Sequence, residues 1–527
     1  MMDAATVVVV DVGTQSLRAS LVDAEGRILR LVRTPCGADI ADGQTVAEVD
    51  PDRIWAAMGS LLRQLTSTAE YRSASPVGLV VTDFRDTAVY LDAEMRPIRP
   101  SVLWLDSRLA RLPGYRNLKL WNKIIFALGG VTATAEANSR RTVAQWLREN
   151  EPENWARCAK YVPLGAYLNF KLTGRLVVST ADCAGHFPIV FRTGRWMTTR
   201  NARWNVFGLE PDQLCGLVEP GAVIGCLTSA ASQLTGLPCG MKVFAGASDK
   251  SSEVVGDGCL TSDCCAVSLG TACTVDMPVP KYKDSEMFLP AYRAPFPGLY
   301  EMEIQIYRGL WMLRWFGHNF ATQSEREEAA KKGVPLETIL DRLLSEAPAG
   351  SKGLLLQPYW GSGLSRPYSS GSIVGFTEAQ DRACLYRSII EGLAFSLKEG
   401  LEKLQRRTHR RAQRLVVSGG GSASLAICQI IADVFDLPVL RTQTGESSTI
   451  GAAIGGFLAA GVFTSPARAA AAMIRYSDTL RPDPERVKLY RRSYRIYKKI
   501  YPSLKKVERE LKGLRDFYER RDQHEFK

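Results

Sequence analysis

A chain of 527 residues exceeds what one hydrophobic core supports, so two or more domains are expected. Its 46% hydrophobic and 23% charged residues are those of a globular protein, and its longest apolar run, residues 450–463, is too short and too rich in glycine to span a bilayer. Neither the 12 cysteines nor the four histidines show metal-ligand spacing, which argues against zinc or iron–sulfur chemistry and fits reduced thiols in the cytoplasm.

The N-terminal MMDAATVVVVDVG has no basic segment before its apolar run, so no secretory signal is expected. TVVVVDVG reads as a buried strand and a glycine turn, and LRASLVDAEGRIL as a further strand and hairpin turning at Glu25 and Gly26. Residues 51–65 have helical periodicity, and residues 77–81 and 87–92 read as apolar strands. A polar, helix-rich stretch around AQWLRENEPENWARC follows. Near residue 242 the pattern starts over: a short strand, then DCCAVSLGTACTVDM as strand, glycine turn and strand, then RLVVSGGGSASLAICQIIADVF as strand, glycine loop and helix. The repetition predicts two α/β domains of related architecture with a boundary near residue 250.

The net charge of +12 is concentrated at the C-terminus, where residues 486–527 hold 15 Lys/Arg against 6 Asp/Glu. Tyr490, Tyr494, Tyr497 and Tyr501 recur there at helical spacing. An amphipathic helix that docks its tyrosines and leaves its cations in water explains this better than a basic arm for nucleic acid.

Three glycine turns follow predicted strands: DVGTQS at residues 11–16, SLGTAC at 268–273 and VSGGGSAS at 417–424. None matches a dinucleotide or P-loop fingerprint, and each alone reads as a structural turn. Together they offer backbone N–H groups and hydroxyls that two domains can close on a polyphosphate. Asp11 is then a candidate for Mg²⁺, direct or through water, and Arg18 for phosphate oxygens. In GASDKSSEV, Asp249 sits at the predicted domain junction, where ligand sites are commonest, and becomes the candidate proton acceptor.

These motifs, in order, resemble the carbohydrate kinases of the FGGY family, of the actin-like, ribonuclease-H-like ATPase superfamily. The similarity runs from about Val7 to about Gly461. It rests on DVGTQSLR, AEVDPDRIW, RPIRPSVLWLDSR, YLNFKLTG, GASDKSSEVVGDG, SLGTACTV and LVVSGGGSASLAICQIIADVFDLPV followed by IGAAIGG. The resemblance implies two ribonuclease-H-like domains with an active-site cleft between them. An N-terminal sugar-binding domain would occupy residues 1–250 and a nucleotide-binding domain residues 251–480, followed by a basic helical tail over 481–527. It implies ATP-dependent, Mg²⁺-assisted phosphorylation of a sugar or polyol hydroxyl in the cytoplasm, with Asp249 as general base and Asp11 at the metal. Thr14, Gln15, Ser16 and Arg18 would contact phosphates from the first domain, and Gly270 and Thr271 from the second. Gly309, Gly420, Gly421 and Ser424 would lie on the nucleotide side.

For the acceptor, the resemblance implies Arg85, Asp86, Asn138, Asp249 and Lys250. Glycerol and autoinducer-2 kinases carry Arg–Glu where this chain has Arg85 and Asp86, and xylulokinases carry Met–His. Lys250 stands where those relatives have an amide; it either meets an anionic part of the substrate or pairs with Asp249 or Asp86. Two alternatives stay open: a kinase for an acidic or phosphorylated acceptor, and a nucleotide-binding regulator without catalysis. A homodimer fits the resemblance, although no stretch marks an interface; the resemblance gives no role to a membrane or nucleic acid.

Overall fold

The computed structural model describes residues 5–37, 39–40, 46–111, 120–128, 132–201, 203–286, 289–360, 366 and 368–525. The chain divides into two units. The first comprises Met1–Leu260, Pro278–Met302 and Glu446–Ile474, and the second Thr261–Met277, Glu303–Gly445 and Arg475–Lys527.

The first unit is built on β1 (Thr6–Val12, TVVVVDV), buried along its whole length as befits a strand covered on both faces. Antiparallel pairing joins it to β2 (Ser16–Asp23), and β2 to β3 (Ile28–Pro35). On its other side β1 pairs in parallel with β4 (Pro76–Asp83). Two short strands, β5 (Val223–Cys226) and β6 (Lys242–Phe244), complete the order β5-β6-β4-β1-β2-β3, with β6 parallel to β4 and β5 antiparallel at the edge.

The second unit repeats the plan with β7 (Cys264–Leu269), β8 (Cys273–Val279), β9 (Tyr300–Ile306), β10 (Arg414–Ser418), β11 (Val439–Thr442) and β12 (Tyr476–Leu480). Their order is β9-β8-β7-β10-β11-β12, with β7, β10 and β11 parallel and β12 antiparallel to β11, and a seventh, two-residue strand, Tyr292–Arg293, pairs antiparallel with β9 at the edge. Each sheet thus sets three consecutive strands beside two parallel ones and ends on an antiparallel strand. The repeat read from the sequence is present in both units.

Helices cover both faces of the first sheet. On one face, helix Pro51–Thr66 is capped by Asp50 and buries Ile54, Met58, Leu61, Leu62 and Leu65, one helical stripe, beside helix Leu164–Thr173. On the other, Ile450, Ile454 and Phe457 of helix Ser447–Ala459 pack on Val7, Val9, Val80 and Phe244. This helix returns to the first unit after the chain has built much of the second, and it lies against helix Asp249–Gly256. The approach is backbone to backbone. A Cβ on Gly451 would lie 1.7 Å from the Ser252 carbonyl oxygen, and one on Gly256 1.8 Å from that of Ser447.

In the second unit the C-terminal helix Pro484–Glu525 docks through its tyrosines. Tyr490, Tyr494 and Tyr497 are buried, with ring centroids 6.0, 5.8 and 5.4 Å from that of Phe395 on helix Arg382–Thr408. The Tyr490 hydroxyl donates to Glu391 at 2.7 Å and accepts from Arg387 at 2.8 Å, which satisfies a buried polar network. Among the described residues no helix is long and apolar enough to cross a membrane.

Since no side chain fits at the helix contact, Gly451→Val is expected to destabilise the protein by about 1–3 kcal/mol or more. Gly445→Val, where an added Cβ meets nothing within 4 Å, should leave the thermal midpoint close to wild type. Equal midpoints for the two variants would contradict the role given to the contact.

Candidate functional site

Asp249 follows β6 and opens helix Asp249–Gly256, whose N-cap is Ser248. A carboxylate in the first turn is favoured by the helix dipole. Its Oδ1 also accepts the Lys250 backbone N–H at 2.8 Å. Burial nevertheless pushes the Asp249 carboxyl up to about 6. Lys250 and Arg85 pull against that rise, and Asp11 and Glu253 add to it. The Lys250 ammonium is ion-paired one turn along its own helix, with Nζ 2.6 Å from Glu253 Oε2. That partner was not among those its position in the sequence suggested.

Asp11, on β1, is also buried, and burial raises its carboxyl. Arg18 reaches across the β1–β2 ladder to Asp11 Oδ2 at 3.1 Å, and the Ser448 hydroxyl donates to the same oxygen at 2.6 Å. Glu446 completes the group, 3.2 Å from Arg18 Nε. The turn that follows is closed by the Gly13 N–H on the Ser16 carbonyl at 3.1 Å. The Thr14 hydroxyl accepts the Trp104 indole N–H at 3.2 Å, while Gln15 is exposed and its carbonyl takes the Cys36 N–H.

Arg85 and Asp86 follow β4. The Arg85 guanidinium lies 4.3 Å from the centre of the Tyr292 ring, a cation–π contact that fixes its plane. Asp86 adopts φ +67°, a left-handed conformation that aspartate tolerates better than most residues. The His186 ring Nδ1 bonds Asp86 Oδ2, and the His186 backbone N–H donates to Oδ1 at 3.1 Å. Burial alone would raise Asp86, but the charge and hydrogen bonds of His186 outweigh it and hold the carboxyl below its ordinary value. The same pairing raises His186 against a burial effect that lowers it. Asn138 lies half-buried on helix Thr132–Arg140, and among the described residues no hydrogen bond or ion pair joins it to Arg85, Asp86 or Asp249.

Two further carboxyls escaped the sequence reading. Asp83 ends β4, Asp182 sits in a distant loop, and both are buried. Their Oδ2 atoms converge on Gly165: a Cβ there would lie 2.1 Å from Asp182 and 2.7 Å from Asp83. Burial, then the charges of Asp182 and Asp249, push Asp83 well above the carboxylate range; burial and the charge of Asp249 push Asp182 up to about 7, against a hydrogen bond with Asp83 that lowers it. The only cue in the sequence was an aspartate at a strand end.

The second unit gathers its own glycine elements. The Thr271 carbonyl accepts the Gly309 N–H at 2.8 Å, and the Gly270 carbonyl accepts the Leu310 N–H at 3.0 Å. A Cβ on Gly309 would come within 2.5 Å of Cys273, and one on Gly421 within 2.3 Å of the Leu310 side chain, so these glycines are required by close packing. Gly420, by contrast, faces open space. Ser424 caps helix Leu425–Phe435, its hydroxyl accepting from the Ile427 N–H. Asp341, unremarked in the sequence, hydrogen-bonds Ser424 and takes the Tyr386 hydroxyl at 3.0 Å.

Residues 6–256 match the N-terminal domain, and residues 265–460 the C-terminal domain, of the FGGY family of carbohydrate kinases. The xylulose kinase of Lactococcus lactis subsp. lactis is 26% identical over 96% of this chain and 98% of its own. The autoinducer-2 kinase of Escherichia coli is 26% identical, covering 93% of both chains. The solved xylulose kinase of Lactobacillus acidophilus superposes with a TM-score of 0.79 at 20% identity, over 95% of this chain and 98% of that one. Plasmodium falciparum glycerol kinase with ADP superposes at 0.72 with 16% identity, over 93% and 97%. These superpositions establish the two-domain, actin-like fold.

The His186–Asp86 pair carries a pH signature. With His186 raised in the folded state, its stabilisation is complete below the ordinary imidazole value of about 6.5 and is lost as pH rises through the raised value. With Asp86 lowered, the carboxylate contribution is lost only at acid pH, below about 4. His186→Gln is therefore expected to flatten the decline in thermal midpoint above about pH 6.5; an unchanged decline would show that other groups cause it.

Proposed function

Because the chain belongs to the FGGY family of carbohydrate kinases, and so is a phosphotransferase, we propose that it moves the γ-phosphoryl group of ATP to a hydroxyl of a small neutral sugar or polyol, with Asp249 as general base. The observation that carries this reading is the half-buried Asp249 carboxyl at a helix N-terminus, pushed up to about 6 by its desolvation. Such a group is ionised at neutral pH yet basic enough to take a proton from an alcohol as the O–P bond forms. In that step the acceptor O–H proton goes to Asp249, the hydroxyl oxygen bonds the γ-phosphorus, and the β–γ bridging oxygen leaves on ADP. Arg85, fixed over Tyr292, would orient the acceptor. The Thr14–Ser16 and Gly270–Thr271 turns would supply phosphate contacts, and Gly420 and Ser424 the nucleotide-side surface.

The buried carboxyls Asp83 and Asp182, the half-buried Asp86 and Asp249 and the ion-paired Lys250 favour a neutral acceptor over an acidic one. The similar proteins are named for xylulose, autoinducer-2 and glycerol and, in one solved structure, for the acid gluconate. Among the described residues no three acidic, histidine or cysteine side chains are grouped to hold a metal. Asp11 alone suits Mg²⁺, which typically takes one or two carboxylates and completes its shell with phosphate oxygens and water. Bound there with the nucleotide, the ion would neutralise charge developing on the phosphates.

Asp249→Asn is expected to lower kcat about 10²–10⁴-fold with little change in KM. ADP release measured with glycerol, pentitols, ketopentoses and ketohexoses as acceptors tests this; turnover close to wild type would remove Asp249 from the role. With the wild-type protein, kcat/KM should fall about tenfold per unit as pH drops below about 6, where Asp249 takes up its proton.

A further inference from the structure

Three loops of the first unit are tied into one body around Asp83 and Asp182. Asp83 bridges Ser248 in parallel register, and the Ser248 N–H donates to the Ala181 carbonyl at 3.2 Å. The Thr82 hydroxyl donates to the Ala247 carbonyl at 2.7 Å. The residues flanking Asp83 and Asp182 thus hold the backbone on which Asp249 is mounted. The two carboxyls meet over Gly165, at the first turn of helix Leu164–Thr173, where any larger residue would drive them apart. Asp182 is only 7% exposed, and its Oδ1 has no hydrogen-bond partner among the described residues. A buried, half-satisfied carboxylate is costly and persists only if something holds it.

We propose that Asp83 and Asp182 form a proton-sharing carboxyl pair that positions the Ser248–Asp249 segment, so that both are positioning residues for phosphoryl transfer. This rests on the reading of Asp249 as general base. The charge of Asp249 helps to raise both carboxyls of the pair. The charged groups that shift Asp249 itself are Lys250 and Glu253 from its own helix, Arg85 from the loop after β4, and Asp11 from β1. Lys250 and Arg85 lower the Asp249 carboxyl, and Asp11 and Glu253 raise it.

The test separates a positioning role from a merely structural one. Asp83→Val removes the donor to Asp182 and is expected to lower kcat about tenfold or more. Asp83→Asn, which keeps an N–H donor in place of the O–H, should recover most of that loss. Asp182→Val removes the acceptor and should lower kcat to a similar extent, whereas Asp182→Asn keeps a carbonyl oxygen that can take the Asp83 O–H and should lose less. Thermal melts of each variant show which have folded, and Asp83→Asn with Asp182→Asn is a fallback if Asp83→Val does not. Infrared spectroscopy of the unliganded protein should show a protonated-carboxyl C=O stretch that Asp83→Asn abolishes. That readout does not need catalysis, so its failure is distinct from a failure of the proposed activity. The proposal is overturned if folded Asp83→Asn is as impaired as Asp83→Val, if folded Asp182→Asn is as impaired as Asp182→Val, or if the infrared band survives in Asp83→Asn.

Discussion

Two helices of the first unit touch backbone to backbone, and the placement of Asp11 and Asp249 depends on that touch. Gly256 and Gly451 let helices Asp249–Gly256 and Ser447–Ala459 approach where side chains would otherwise keep them apart. One helix carries Asp249 at its start; the other brings Ser448 to Asp11 and follows Glu446, the partner of Arg18. The apolar layer of Val7, Val9, Val80 and Ile454 then fixes both helices on the sheet whose β1 supplies Asp11. A methyl group's width at this contact would alter two candidate functional positions at once.

The charges of the site do not follow the charge of the chain. The basic surplus lies in the C-terminal helix, whose tyrosines dock on Phe395, whereas the region around Asp249 is rich in buried acids. Burial raises Asp11, Asp83, Asp182 and Asp249 alike, and each is met differently: a guanidinium and a hydroxyl, a shared proton, or a helix N-terminus. Asp86 runs the other way, because His186 supplies both charge and hydrogen bonds. Aspartates of one unit are thus shifted in opposite directions by their surroundings.

Much of this was legible beforehand. Strands of unbroken valine, glycine turns after them and their recurrence midway announce two related sheets, and the motif order singles out Asp11 and Asp249. Those signals are local, held within a few residues of one another. What stayed hidden depends on partners far apart in the chain. Asp86 and His186 are 100 positions apart, and Asp11 and Ser448 are separated by 437. Gly165 looks like any helical glycine until two side chains from other loops arrive over it. Lys250 was ambiguous for the same reason: its neighbour in sequence, Asp249, caught the eye, while the ion pair lies one turn further on at Glu253.

The return of residues 446–474 to the first unit has a consequence for how the protein is made. A ribosome translating the chain releases β1, β4 and helix Asp249–Gly256 long before helix Ser447–Ala459 exists. Until then Asp11 lacks its serine, Arg18 lacks Glu446, and the apolar face of Val7, Val9 and Val80 lacks its cover. The nascent first unit therefore waits, incomplete and in need of protection, while much of the second unit is synthesised. The acidic site is assembled only once residues 446–459 have emerged, so a chain terminated before them carries Asp249 without the surroundings that tune it.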